Sequence, residues 1–447
     1  MTAMTDSQPH GGRIGSHCFD RSATKLSTNS QYDLSMDNKD VPRWATSRIL
    51  EALSDTPVVV LNGARQVGKS TLVTSLTYPG TKELVTLDDT ATRSAARFDP
   101  RAFVQRSVDT LVIDEVQLEP SLFRAIKAEV DRDRRPGRFL ITGSSRLLSA
   151  PDMADALVGR VEMIELWPFS QDELLRKRSE FISAAFEMPG KLMQPGKVSR
   201  QELVERICAG GFPDAVARPQ GRRAAWFDGY VTTTIERVVR QVADIERATE
   251  MPRLMRLCAA RTAQELNISN LADEFRVPAR TVSGYVAHLA TAFLIQLIPA
   301  WSTNLSAKVI RRPKLIMLDS GLAAHLIGAT PTTVDRPGGP FGQLLETFIT
   351  SEIHKQLTWV EPRVSMYHFR DRDGVEVDIV LEHPDGRIVG IEVKATSTPR
   401  AEDFRGLRYL AQRLGDRFAL GLLLSAAPDS IPFGPRLAAL PVDAIWR

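Results

Sequence analysis

Hydrophobic and polar positions along the chain switch between two periods, and the switches mark its elements. From Val41 a 3.6-residue rhythm puts Trp44, Ile49, Leu50 and Leu53 on one face, which predicts a helix. Val58–Leu61 is a short β-branched run, the mark of a buried strand. Similar runs recur at Leu84–Leu87, Thr110–Ile113, Arg138–Thr142 and Val161–Leu166, with helical patterns between the earlier ones. Strands alternating with helices predict a mostly parallel sheet that binds ligand at the strand C-terminal ends.

Beyond Trp167-Pro168-Phe169-Ser170 the pattern turns helical. Gln171–Ile207 is broken by a Pro/Gly-bearing loop at Met188–Lys197, and Gly210–Pro213 reads as a sharp turn. Ala224–Arg247 is a long helical stretch whose charges (Glu236, Arg237, Arg240, Asp244, Glu246, Arg247) form a solvated face. Ser269–Phe275 and Ala279–Phe293 have helix-turn-helix spacing around Val277-Pro278, with Val282, Tyr285, Leu289 and Phe293 on one face. Lys308–Leu318 is placed to supply a wing. In the last region Leu344–Phe348 lies on an amphipathic helix, Gly374–Val380 and Ile388–Lys394 read as strands, Ala401–Leu414 as a helix and Phe418–Leu424 as a buried strand. Residues 1–40 are polar and aperiodic, and read as a disordered extension or as sequence upstream of the true start. The divisions are therefore 41–170 for the parallel-sheet domain, 171–262 for a helical region, 263–335 for a winged-helix-like region and 336–447 for a C-terminal α/β domain.

Composition changes this picture little. The 447 residues are 43% hydrophobic and 25% charged, ordinary for a globular chain. A net charge of +3 neither requires nor excludes a nucleic-acid partner. Cys18, Cys208 and Cys258 have no zinc or disulfide spacing, which suits a reducing cytosol. No apolar run is long enough to span a membrane and the N-terminus lacks a signal-peptide core, so the expected location is cytoplasmic.

The chemistry is concentrated at two places. Gly63-Ala64-Arg65-Gln66-Val67-Gly68-Lys69-Ser70, followed by Thr71, matches the G-x-x-x-x-G-K-[ST] phosphate loop directly after a predicted strand and before a helix. Its backbone N–H groups would cradle the phosphates of ATP, Lys69 would reach the β- and γ-phosphates, and the Ser70 hydroxyl would ligate Mg²⁺. Thr110–Ile113 then ends in Asp114-Glu115. A carboxylate there is placed to hold Mg²⁺, and Glu115 to orient and deprotonate the attacking water. Ser144 or Ser145, at the next strand end, is a candidate γ-phosphate sensor, with a plain helix cap as the alternative. Arg160 is a candidate arginine finger or sensor, with a surface arginine as the alternative. Asp114-Glu115, with no N-K-x-D signature following, favours ATP over GTP.

The second place is C-terminal. Period-2 geometry puts Glu392 and Lys394 on one face of a strand, with Ile391 and Val393 on the other. With Asp378 on the preceding strand they form a D…E-x-K set. Its carboxylates would bind Mg²⁺ and its lysine would stabilise charge; Glu346 could add a further metal-linked carboxylate. Arg276, Arg280 and Arg311-Arg312 give the middle region local positive charge for DNA or RNA, although such folds also serve as lids and protein contacts.

On Gly63–Thr71, Leu111–Gln117, Ile141–Ser145, Gly159-Arg160, Gly210–Pro213, Lys314–Gly321 (KLIMLDSG), Glu346, Asp378 and Glu392–Lys394, the chain resembles a broad prokaryotic family of uncharacterised ATP-binding proteins. That resemblance implies an AAA-type P-loop domain, a winged-helix-like middle and a C-terminal domain similar to PD-(D/E)XK nucleases. Ile316 stands where the family usually has tyrosine. Three activities follow as expectations: an ATPase, an ATP-switched nucleic-acid-binding regulator or defence component, and an ATP-gated nuclease. A homo-oligomer is compatible with each.

Overall fold

A computed structural model describes residues 41–78, 80–144, 157–241, 250–302 and 311–447, with side chains of the long helix described to residue 236. The expectations for residues 1–40, Ser145, Arg237, Arg240, Asp244, Glu246, Arg247 and the first part of the wing lie outside these.

The first domain is built on five parallel strands: β1 (Val58–Asn62), β2 (Lys82–Thr86), β3 (Thr110–Asp114), β4 (Phe139–Gly143) and β5 (Val161–Glu165), in the order β2-β3-β4-β1-β5. Alternate side chains feed two cores. Val58, Val60, Leu111, Ile113, Phe139 and Ile141 pack against the helix Ser121–Arg132 through Leu122, Phe123, Ile126 and Val130. Val59, Leu61, Val112 and Leu140 face the opposite way, toward Ile49 and Leu53 of the helix Ala45–Asp55 and Leu72 and Val73 of the helix Lys69–Ser75. Burial of both faces explains why the strands read as continuous apolar runs rather than alternating ones.

The middle of the chain is helical, with a three-stranded antiparallel sheet of β6 (Gln264–Glu265), β7 (Ile295–Ile298) and β8 (Lys314–Met317), ordered β6-β8-β7. The helices Ile268–Phe275 and Ala279–Thr291 lie between β6 and β7, and Val282, Tyr285, Leu289 and Phe293 are all buried. Strand β8 is buried at every position. The part of the expected wing that is described is thus a core strand, because Leu315–Leu318 pack into the main hydrophobic cluster.

The C-terminal domain holds a mixed six-stranded sheet: β9 (Ser365–Arg370), β10 (Glu376–Glu382), β11 (Ile388–Lys394), β12 (Phe418–Ser425), β13 (Ile431–Gly434) and β14 (Leu437–Pro441). Strands β9, β10 and β11 run antiparallel, β11, β12 and β14 parallel, and β13 returns antiparallel on the edge. The helix Arg405–Leu414 packs Leu407 and Leu410 against one face. The helix Phe341–Gln356 covers the other, and its packing corrects one expectation. It is buried on nearly every side rather than along one stripe, because it lies between this sheet and the middle region.

Candidate active site

The loop after β1 is held by close approach. A side chain at Gly63 would strike the Leu166 carbonyl oxygen at 2.2 Å, so only glycine fits there. Gln66 (φ 60°) and Gly68 (φ 92°) are left-handed, and such alternation turns successive N–H groups to one side, making an anion cradle. Lys69 closes the loop: its Nζ donates to the carbonyls of Gly63 (2.9 Å) and Ala64 (2.8 Å). Burial lowers the Lys69 pKa to about 8, with Glu115 and Asp114 pulling the other way and Arg65 adding to the fall. Arg65 is partly buried and its Nε has no hydrogen-bond partner.

Asp114 and Glu115 follow from β3. The Ser70 hydroxyl donates to Asp114 at 2.9 Å, and the Thr142 hydroxyl donates to the other Asp114 oxygen at 2.5 Å. Ser70 and Asp114 are thus adjacent hard oxygen donors at a strand C-terminal end, a set that suits Mg²⁺. Glu115 is left-handed (φ 57°), an uncommon state for a non-glycine residue, and its N–H donates to Thr142 Oγ1 at 3.0 Å. Its carboxylate accepts from the Ser144 hydroxyl at 3.0 Å and from the Gln117 amide, which also donates to Ser144 Oγ at 3.0 Å. Lys69, Ser70, Asp114, Glu115 and Ser144 therefore converge. Thr142 and Gln117 belong to the same set. Both lie inside motifs legible in the sequence, but nothing in their spacing distinguishes them there.

Arg160 does not belong to it. It immediately precedes β5, level with the N-terminal end of β1, and its guanidinium pairs with Asp131 at 2.7 Å. The loop follows the other end of β1, so a five-residue strand, roughly 16 Å, separates the two. The structure therefore does not bring Arg160 to the phosphate loop of its own subunit.

Arg43 does belong. Its three side-chain nitrogens donate to Glu173 (3.1 Å), the Val67 carbonyl (2.8 Å) and the Trp167 carbonyl (2.5 Å), clamping the P-loop from behind. The Glu173 carboxylate also accepts the N–H groups of Trp44 and Ser170. Next to it the Gln171 N–H donates to Glu352 at 2.7 Å, and Lys355 joins Glu352 (2.6 Å) to the Phe169 carbonyl (2.9 Å). A continuous polar path thus runs from the P-loop to the buried helix Phe341–Gln356.

The second set is also brought together. The β10–β11 ladder ends at the Ile379–Ile391 pair, and there the Asp378 carboxylate accepts the Val393 N–H at 2.9 Å. Lys394 Nζ lies 2.7 Å from Glu392, as their common strand face requires. The residue that sequence reasoning missed is Lys314. Its ammonium sits 2.5 Å from Glu346 and 3.2 Å from Asp378. Burial alone would lower its pKa, but Asp378 and Glu346 outweigh it and the pKa is raised. Burial, then the charge of Asp378, pushes Glu346 and Glu392 each up to about 8. These carboxylates repel one another, so the cluster holds a proton as well as its lysines. The set does not fit a divalent metal as it stands, since Lys314 lies between the carboxylates. Among the described residues no three His, Cys, Asp or Glu side chains are arranged to hold a metal ion.

Comparison with known proteins agrees with the first site. Residues 55–175 match the family described as AAA domain. The chain carries an AAA-type P-loop ATPase domain. Residues 200–333 match a domain of unknown function, DUF8612, and residues 341–445 another, DUF4143. Proteins called uncharacterized from Mycobacterium bovis and Mycobacterium tuberculosis are each 29% identical over 409 residues, covering 90% of this chain and 84% of theirs. One from Haemophilus influenzae is 22% identical over 255 residues, 54% of this chain and 56% of its own. Among solved structures, a Walker-type ATPase of Pyrococcus abyssi is similar with a TM-score of 0.40 at 14% identity, over 65% of this chain and 99% of that one. The RuvB Holliday junction branch migration motor of Thermotoga maritima gives 0.26 at 18%, over 57% and 87%. No helix among the described residues is long and apolar enough to cross a membrane.

Proposed function

We propose that this chain binds and hydrolyses Mg-ATP and passes its nucleotide state to the C-terminal domain. One observation carries the reading. Lys69, Ser70, Asp114 and Glu115 meet at one edge of the sheet, and Glu115 is already held by Ser144 and Gln117. On binding, Lys69 exchanges the Gly63 and Ala64 carbonyls for phosphate oxygens. Ser70 and Asp114 would hold Mg²⁺, which would supply charge neutralisation on the phosphates. Glu115 orients a water and takes its proton as the oxygen attacks the γ-phosphorus. The bond to the bridging oxygen then breaks, leaving ADP and phosphate. The Ser144 hydroxyl is engaged by Glu115 and Gln117, and a γ-phosphate reaching it would compete for the same donor. Coupling follows the path through Arg43, Glu173 and Glu352.

For the C-terminal domain we favour an ATP-switched recognition role over cleavage, because Lys314 pairs with Asp378 of the D…E-x-K set and with Glu346 beside it. DNA or RNA remains the partner class suggested by Arg276 and Arg280, both exposed on the paired helices of the middle region. Substituting Glu115→Gln tests the central claim. ATP affinity, measured by calorimetry, is expected to persist while turnover falls by a factor on the order of 10² or more, the scale of lost general-base help. Undiminished hydrolysis would remove Glu115 from the chemistry.

A further inference from the structure

We propose that Lys314 is a built-in cation: its ammonium takes the position between Glu346 and Asp378 that a divalent ion would otherwise occupy, and pins β8 of the middle region to the C-terminal domain. The ammonium contacts three acceptors on two elements, Glu346 Oε1 at 2.5 Å, Asp378 Oδ1 at 3.2 Å and the Asp378 carbonyl at 3.4 Å. Each partner is anchored elsewhere. Asp378 is tied to β11 through Val393, Glu346 stands on the buried helix, and Lys314 lies in the centre of the β6-β8-β7 sheet. All three charged ends are largely buried, with side-chain exposures of 10% for Lys314 and Asp378 and 16% for Glu346. The neighbouring Glu392 is 5% exposed, and its Oε2 has no hydrogen-bond partner. Glu346 and Asp378, two anchored and largely buried carboxylates side by side, need a cation between them. The lysine fills that need internally, with a point charge and three donors that cannot be exchanged for solvent ions.

The inference rests on the C-terminal geometry and stands or falls apart from the ATPase reading. It deepens the non-cleaving role by naming what blocks the metal. Mn²⁺ is the probe, followed by electron paramagnetic resonance with the full chain free of nucleotide. The wild type is expected to show no Mn²⁺ binding that Asp378→Asn abolishes. Lys314→Gln is expected to gain one Mn²⁺ site, at least tenfold tighter than any binding by the wild type, and Asp378→Asn in that background should remove it. Mn²⁺ binding by the wild type that depends on Asp378 would overturn the proposal. So would a folded Lys314→Gln chain with no gain.

Removing one partner of a buried pair strands the other, so Lys314→Gln is at risk of unfolding without metal. The charge-balanced double variant Lys314→Gln/Glu346→Gln guards against this. It is expected to fold, by circular dichroism, and to show no gain in Mn²⁺ binding, because Glu346 is one of the two carboxylates that define the position. A gain in the double variant, or its failure to fold, would overturn the proposal.

Discussion

The low pKa of Lys69 makes ATP binding a proton-linked event. Burial holds the ammonium at about 8 rather than 10.5 in the free protein. That gap, at about 1.4 kcal/mol per unit, amounts to about 3 kcal/mol spent keeping a charge where few groups solvate it. Polyphosphate supplies the missing anion, so the bound-state pKa is expected to return to at least the ordinary value. At pH 8.5 about three quarters of Lys69 is neutral before binding, and each ATP should take up about 0.75 proton; at pH 7 the uptake should be only about 0.1. Affinity for Mg-ATP, whose terminal phosphate Mg²⁺ keeps ionised, should then fall roughly thirtyfold between pH 7 and pH 9.5. Calorimetry in buffers of differing ionisation enthalpy reads the uptake directly, with Lys69→Met as the control that loses it. The same shift acts on folding. Between pH 8 and 10.5 the unfolded chain binds more protons at this position, so the free protein gains stability from Lys69 as pH rises through that window. Equal uptake at the two pH values, or uptake that survives in Lys69→Met, would refute the assignment of Lys69 to the phosphates.

Arg160 can act only on a neighbouring subunit, so turnover per chain should rise with protein concentration, and Arg160→Ala should lose activity while keeping ATP affinity. Concentration-independent turnover in a monomer, checked by sedimentation, would leave Arg160 as a partner of Asp131 alone. The Glu352–Lys355 pair is almost wholly buried, and burial raises the Glu352 pKa. Glu352→Ala should therefore cost about 3–5 kcal/mol in chemical denaturation, most of it recovered in Glu352→Leu/Lys355→Met; a single-variant loss below about 1 kcal/mol would show that the pair is not an anchor.

Much of the first site was legible because its chemistry is local. A phosphate loop needs glycines, a lysine and a hydroxyl within eight consecutive positions, and a metal-side carboxylate needs only the end of a buried strand. The runs Val58–Leu61, Thr110–Ile113 and Arg138–Thr142 each fall within one residue of an observed strand for the same reason. Arg160 kept two readings in the sequence, finger or surface arginine, because local sequence does not say which end of the sheet a residue occupies. Its position became clear only from the parallel pairing of β5 with β1. Arg43 lies in the short stretch that leads into the first helix, and its partners are 24, 124 and 130 positions away. Lys314 sat within KLIMLDSG, but its acids lie 32 and 64 positions downstream. Nothing in a strand pattern of K-L-I-M distinguishes a lysine at the strand start, facing solvent, from one buried among carboxylates.

These long-range contacts place both charge clusters on one helix. Glu352 receives the P-loop path and Glu346 receives Lys314, and six residues separate them, roughly 9 Å of helical rise. The helix is packed on nearly all sides, so it cannot bend locally to accommodate a change at one end. A shift of Gln171 that pulled on Glu352 would have to move the helix as a unit, and Glu346 with it. The Lys314 pair would then stretch or the shift would be resisted. Either way the nucleotide end and the acid cluster share one rigid element whose position both can bias, which is the physical requirement for coupling. If the Lys314 latch sets that position, loosening it should change ATP affinity as well as metal binding, and by linkage ATP should change the strength of the latch by the same free energy.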